Sequence, residues 1–124
     1  MPDLRVLVVD DQEPFRRAMS AVVEETDGFV VVGEASNGES SVEASTQLQP
    51  DLVLMDVNLP GIDGLEATRQ ILHGGAGGPV VVLLSTYDED DVDVAGCGAA
   101  AYITKSAFGP DRLRSAWESA SAEL

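Results

Sequence analysis

Three short runs in this chain, VLVV (residues 6–9), LVLM (52–55) and VVVLL (80–84), contain no polar residue and are rich in β-branched side chains. A strand with one wet face alternates apolar and polar residues, whereas a strand covered on both faces does not. Unbroken runs this short therefore point to parallel strands inside a layered α/β fold, with helices on either side. Two weaker runs, Val30–Val32 and Tyr102–Ile103, bring the expected strands to five.

Helix patterns fill the gaps. Pro14 stands where a first helical turn tolerates it, and Phe15, Ala18, Met19, Val22 and Val23 then fall on one face. Asn37 to Leu48 reads as a weaker helix on Val42, Ala44 and Leu48, and Gly64 to Leu72 groups Leu65, Thr68 and Leu72. Pro110 opens a last helix that aligns Leu113, Ala116, Trp117 and Ala120. GGAGG (74–78) reads as a loop within the fold, not a domain linker. Alternation of five strands with helices predicts a doubly wound α/β sandwich, and 124 residues suffice for one such domain.

One segment fits poorly. DEDDVDVAGCGAAA (Asp88 to Ala101) should hold the fourth helix, yet its apolar anchors are only Val92, Val94 and Ala95, and Gly96 and Gly98 follow. Each glycine costs about 1 kcal/mol inside a helix, so a short or mobile fourth helix is expected.

Bulk properties exclude several classes. No apolar run is long enough for a membrane-spanning helix, and MPDLRVLVVDD lacks the basic-then-apolar layout of a secretion signal. The single cysteine, Cys97, has no partner for an internal disulfide, which fits a cytoplasmic location. A net charge of −15 argues against direct grip on nucleic-acid phosphates. It reads as a solubilising surface or as an acidic docking face.

The strand ends carry the chemistry. Ligands of open α/β sheets sit beyond the carboxyl ends of the strands, where the strand order reverses. Asp10 and Asp11 follow the first run, and Asp56 ends the third. If those strands are neighbours, three carboxylates share one pocket. Two such charges about 4 Å apart repel by ~4 kcal/mol at an effective dielectric of about 20. A hard divalent cation such as Mg2+, which takes a few protein oxygens and keeps its waters, is the natural remedy. Capping of the first helix explains either of Asp10 and Asp11 alone, but not three acids on two strand ends. Ser85 and Thr86 end the fourth run, and Lys105 follows the fifth, either reaching the acids or solvated. His73 reads as an exposed helix end, Cys97 as packing, and Trp117 as core or dimer anchor.

These residues resemble the receiver domain of two-component response regulators over essentially the whole chain. The resemblance rests on VVDD ending in Asp10–Asp11, LMDVNLPGIDG with Asp56, LLST with Ser85, and YITK with Tyr102 and Lys105. VVGEASNGE (31–39) is similar to the NarL/FixJ-like subclass, whose receivers usually precede a LuxR-type helix-turn-helix. The resemblance implies a flavodoxin-like (βα)5 sandwich of strand order 2-1-3-4-5 spanning residues 1–124, with an output domain absent from this chain. It implies Asp56 as the phosphoryl acceptor and Mg2+ held by Asp11, Asp56 and the Asn58 backbone carbonyl, with Asp10 on a metal-bound water. Lys105, Ser85 and Thr86 would bind the phosphoryl group, and Tyr102 would swing inward on activation.

A sensor histidine kinase is the implied partner, with DNA reached only through another domain, no membrane contact, and homodimerisation on activation left open. The chain would not be an enzyme beyond its own phosphorylation and dephosphorylation. Relative to the family pattern the fourth-helix segment is about half a turn short, which touches the output surface rather than the phosphoryl site. A stand-alone or degenerate receiver stays open. A magnesium-dependent phosphatase would space its two first-strand aspartates by one residue, whereas Asp10 and Asp11 are adjacent. A flavodoxin would need a hydroxyl- and glycine-rich phosphate loop where this chain has the acidic DDQEPF.

Overall fold

A computed structural model describes residues 3–73, 78–86 and 94–121. Five parallel strands form one sheet: β1 (Leu4–Val9), β2 (Phe29–Ala35), β3 (Leu52–Asp56), β4 (Val80–Ser85) and β5 (Ala101–Thr104). Their order is β2-β1-β3-β4-β5, as expected. The helices are α1 (Glu13–Glu24), α2 (Gly38–Leu48), α3 (Gly64–Leu72), the single turn α4 (Val94–Cys97) and α5 (Pro110–Ser121). The chain runs outward in one direction from β1 to β2 and in the other to β3, so the reversal point lies between β1 and β3.

The unbroken apolar runs are the central strands. Val6 to Val9, Leu52 to Met55 and Val81 to Leu84 are all at most 1% exposed, with alternate residues feeding two separate cores. One core packs Val6, Val8, Leu54 and Leu84 under α1 and α5 through Met19, Val23 and Leu113. The other packs Leu7, Val53, Met55 and Leu83 under α2 and α3, with Ala67 fully buried. At about 25 cal/mol per Å2 of apolar surface removed from water, burial on both faces makes these strands a favourable contribution to the stability of the fold.

Local signals set the helix ends. The Asn37 side chain accepts from Ser40 N (2.7 Å) and Asp63 from Glu66 N (2.9 Å), capping α2 and α3. Gly64 matters for the site: a Cβ there would lie 2.2 Å from the Asp56 carbonyl oxygen and 2.8 Å from Val57 Cα. Only a glycine lets the start of α3 press against the backbone that follows β3.

Several details depart from the sequence reading. Phe15 and Ala18 were expected on the inner face of α1, yet both are exposed, because Met19 and Val23 already fill the contact with the sheet. The buried face of α2 is not only Val42, Ala44 and Leu48, which are half-buried, but also the buried Ser41 and Ser45. Of the expected fourth helix, residues 94–97 are helical and Gly98 follows at φ 93°. Residues 88–93 of that expectation, and 74–77 of the GGAGG loop, lie outside the described residues. Cys97 is buried as packing, His73 is an exposed helix end, and Trp117 packs half-buried against the first core. Among the described residues no helix is long and apolar enough to cross a membrane.

Candidate functional site

Asp10 immediately follows β1 and has no exposed surface. Its backbone and side chain are fixed by three bonds: its N–H donates to Ala35 O (3.1 Å), its carbonyl accepts from Arg16 Nη1 (2.8 Å), and its side-chain Oδ1 accepts from Gln12 N (2.9 Å). Arg16 is held in turn by Glu34 at 3.1 Å. Asp11, the next residue, is exposed.

Asp56 is the last residue of β3 and is 3% exposed. Its Oδ1 accepts from Asn58 N at 3.2 Å, and Val57 N continues the ladder to Leu84 O at 2.9 Å. Gly64 N then bonds Val57 O at 2.9 Å, so the turn carrying Asn58 is closed by the start of α3. Because β1 and β3 are hydrogen-bonded neighbours, Asp10, Asp11 and Asp56 each place a carboxylate oxygen within 4.8 Å of the others.

Lys105 begins a 3-10 turn (Lys105–Ala107) directly after β5. Its side chain is 12% exposed, with Nζ 2.7 Å from Asp10 Oδ2 and 3.6 Å from Asp56 Oδ2. Among the described residues no hydrogen bond reaches Asp10 Oδ2, which meets Lys105 as an ion pair. Lys105 is the sole lysine of a sequence with 22 acidic residues, and it is spent on this pocket. Its ammonium also stands 4.0 Å from the centroid of the Phe15 ring.

Burial and the neighbouring Asp10 push the Asp56 carboxyl up to about 6, against the opposing pull of Lys105 and the Asn58 N–H. Three carboxylates and one ammonium carry two negative charges in excess, all on hard oxygen donors. That donor set suits a divalent cation of the magnesium type, with no sulfur or nitrogen ligand in the cluster among the described residues.

The remaining expected residues fall at the same rim with different exposure. Ser85 ends β4, is 1% exposed and pairs in register with Thr104, while Asp56 pairs with Leu84. Thr86 is exposed just beyond that strand. Tyr102 pairs with Leu83 and is half-buried against the second core. Asn58 is exposed in the turn after Asp56. The sequence reading missed two residues of the site: Phe15, assigned to the core by its helical spacing, and Arg16, which holds the Asp10 carbonyl.

Comparisons with known proteins agree with this geometry. The family model described as "Response regulator receiver domain" matches residues 6–118. The response regulator GacA of Pseudomonas viridiflava is 44% identical over 107 residues, covering 84% of this chain and 49% of the relative. The nitrate/nitrite response regulator protein NarL of Escherichia coli K12 is 34% identical over 120 residues, covering 96% of this chain and 56% of the relative. The chain thus spans about half the length of the curated relatives it matches.

Among solved structures, the receiver domain of the putative response regulator NarL from Mycobacterium tuberculosis superposes with a TM-score of 0.88 at 26% identity, covering 98% of both chains. A LuxR-family two-component response regulator from Aurantimonas sp. SI85-9A1 superposes with a TM-score of 0.85 at 30% identity, covering 98% of this chain and 86% of that one. With the sheet order, the acidic rim and the matched span in agreement, this chain belongs to the receiver domain family of two-component response regulators, with relatives of the NarL and LuxR type.

Proposed function

We propose that the domain accepts a phosphoryl group on Asp56 from the phosphohistidine of a sensor kinase and passes the signal on through its surface. The observation that carries this reading is the placement of Asp56. A carboxylate 3% exposed at a strand end, beside a second buried carboxylate, shares one ammonium with it. A purely structural acid gains nothing from such a setting, whereas a nucleophile does.

The step balances as follows. A carboxylate oxygen of Asp56 attacks phosphorus, the donor P–N bond breaks, the leaving imidazole keeps the electron pair and takes a proton, and an acyl phosphate remains. At neutral pH Asp56 is mostly ionised, because its carboxyl titrates near 6, so the nucleophile is ready. Asn58 N, donating to Oδ1, orients the carboxylate and leaves Oδ2 on the side of Lys105. Lys105 can exchange Asp10 for a phosphoryl oxygen by a small movement of its ammonium.

Mg2+ would be held by Asp11, Asp56 and the Asn58 carbonyl, with Asp10 on a metal-bound water. When bound, it supplies charge neutralisation for the phosphoryl oxygens. Ser85 would donate its hydroxyl to the phosphoryl group, Thr86 would close over it, and Tyr102 would repack inward as the rim contracts. The chain then acts as a cytoplasmic switch rather than an enzyme on external substrates. By likeness to its relatives it would control transcription through a DNA-binding domain outside this chain, with homodimerisation on activation as one route.

Intact mass after incubation with acetyl phosphate and Mg2+, beside Asp56→Asn, tests the reading. Gain of one phosphoryl mass by the wild type only is expected; equal gain by the Asn variant overturns it.

A further inference from the structure

We infer that Phe15 is a positioning residue for Lys105, holding its ammonium at the mouth of the acidic pocket through the face of its ring. The inference rests on the phosphoryl-acceptor reading of Asp56 and assigns a role to a residue that reading leaves unused.

Phe15 is the large hydrophobic side chain left most open to solvent among the described residues, at 38%. It lies in the first turn of α1, where core packing does not need it, since Met19 and Val23 make the contact with the sheet. Its ring centroid is 4.0 Å from Lys105 Nζ, within the range of an attractive cation–π contact. With Ala18, Met19, Val22, Leu84 and Phe108 it also lines a narrow apolar pocket that Lys105 borders. The lysine stem is thus held by apolar walls while its head meets Asp10 at 2.7 Å on one side and the ring on another.

That arrangement answers a specific difficulty. A lysine side chain has many rotamers, and an incoming phosphoryl group requires Lys105 to let go of Asp10. Without a second restraint, the freed ammonium turns to water. With Phe15 over it, the ammonium stays at the pocket and only changes its anionic partner. A cation–π contact at a partly exposed ring corresponds to about a two- to fivefold population ratio. Loss of the ring should therefore slow phosphoryl uptake by about that factor.

Lys105 is the sole lysine in the sequence, so selective 13C-lysine labelling gives one side-chain Cε–Hε signal without assignment. In the wild type this signal is expected to lie upfield of free lysine, because the protons adjoin the ring face. Phe15→Leu keeps an apolar side chain but removes the ring. It should return the signal to the free value and slow phosphoryl uptake from acetyl phosphate two- to fivefold at saturating Mg2+. Phe15→Trp should keep both the shift and the rate.

An unshifted wild-type signal overturns the inference. So does a Phe15→Leu protein with wild-type uptake, or a Phe15→Trp protein that is shifted but as slow as Phe15→Leu. The shift is read without any phosphoryl donor, so the two readings fail separately. A wild type that shows the shift yet gains no phosphoryl group overturns Asp56 as acceptor, and with it the contribution of Phe15 to transfer, while the contact itself stands.

Discussion

Replacing Asp56 with asparagine should make the metal-free domain more stable, although it removes the residue on which the proposed function depends. Burial and Asp10 raise the Asp56 carboxyl from 3.8 to about 6, so the folded state holds this proton more tightly than the unfolded chain. The associated stability is fully present below pH 3.8 and is lost as pH rises through about 6. By pH 7.5 the ionised carboxylate costs the fold about 3 kcal/mol relative to the protonated form, and at pH 4.5 about 1 kcal/mol.

Asparagine carries no charge, and its amide oxygen can still accept the Asn58 N–H that Asp56 Oδ1 accepts at 3.2 Å. Lys105 keeps its nearer partner, Asp10. In urea with EDTA at pH 7.5, the Asn variant should unfold at a midpoint about 1–2 M higher than the wild type. At pH 4.5 the gap should shrink to about a third. Added Mg2+ should raise the wild type more than the variant, narrowing the gap from the other side. An Asn variant no more stable at pH 7.5, or one whose advantage is unchanged at pH 4.5, would refute the reasoning, because the cost would then not come from a buried charge.

Other perturbations probe the same scaffold. Gly64→Ala drives a Cβ against the Asp56 carbonyl oxygen, and should lower the unfolding free energy measured in urea by about 2 kcal/mol while slowing phosphoryl uptake. Lys105→Met leaves buried Asp10 without the ammonium now 2.7 Å away. It should destabilise the metal-free domain by about 3 kcal/mol in urea and reduce uptake from acetyl phosphate about a hundredfold. Asn37→Ala removes the acceptor for Ser40 N at 2.7 Å and should cost about 1 kcal/mol of thermal or urea stability.

The central strands were legible because two-sided burial leaves no room for polar residues: the second and third unbroken runs became strands one residue longer than expected, and the first became a strand that starts two residues earlier, at Leu4. The edge strand β2 was longer than the expected Val30–Val32, reaching from Phe29 to Ala35. Its register against β1 slips between Val6 and Leu7, and it passes through Gly33 and the exposed Glu34, which no apolar count would include. In α2 the inner face is built partly from Ser41, whose hydroxyl is satisfied by Gly38 O at 2.6 Å. A hydroxyl bonded to its own helix packs like a small apolar group, and hydropathy does not register that.

The acidic site was legible as three acids at strand ends, but their meeting depends on β1 lying beside β3. The role of Phe15 was not legible at all, since a phenylalanine at helical spacing reads as core. Only the folded position of Lys105, three strands away from β1 in the sheet, shows what the ring faces.

The most direct test of Asp56 as acceptor is borohydride trapping after incubation with acetyl phosphate and Mg2+. Borohydride reduces an acyl phosphate to the alcohol and so converts the modified aspartate to homoserine. Cleavage after arginine separates the candidates, because Asp10 and Asp11 lie between Arg5 and Arg16 and Asp56 lies between Arg17 and Arg69. Homoserine at position 56, and at neither 10 nor 11, is the predicted result. Homoserine at another aspartate, or none in protein that has demonstrably gained phosphate, would contradict the account.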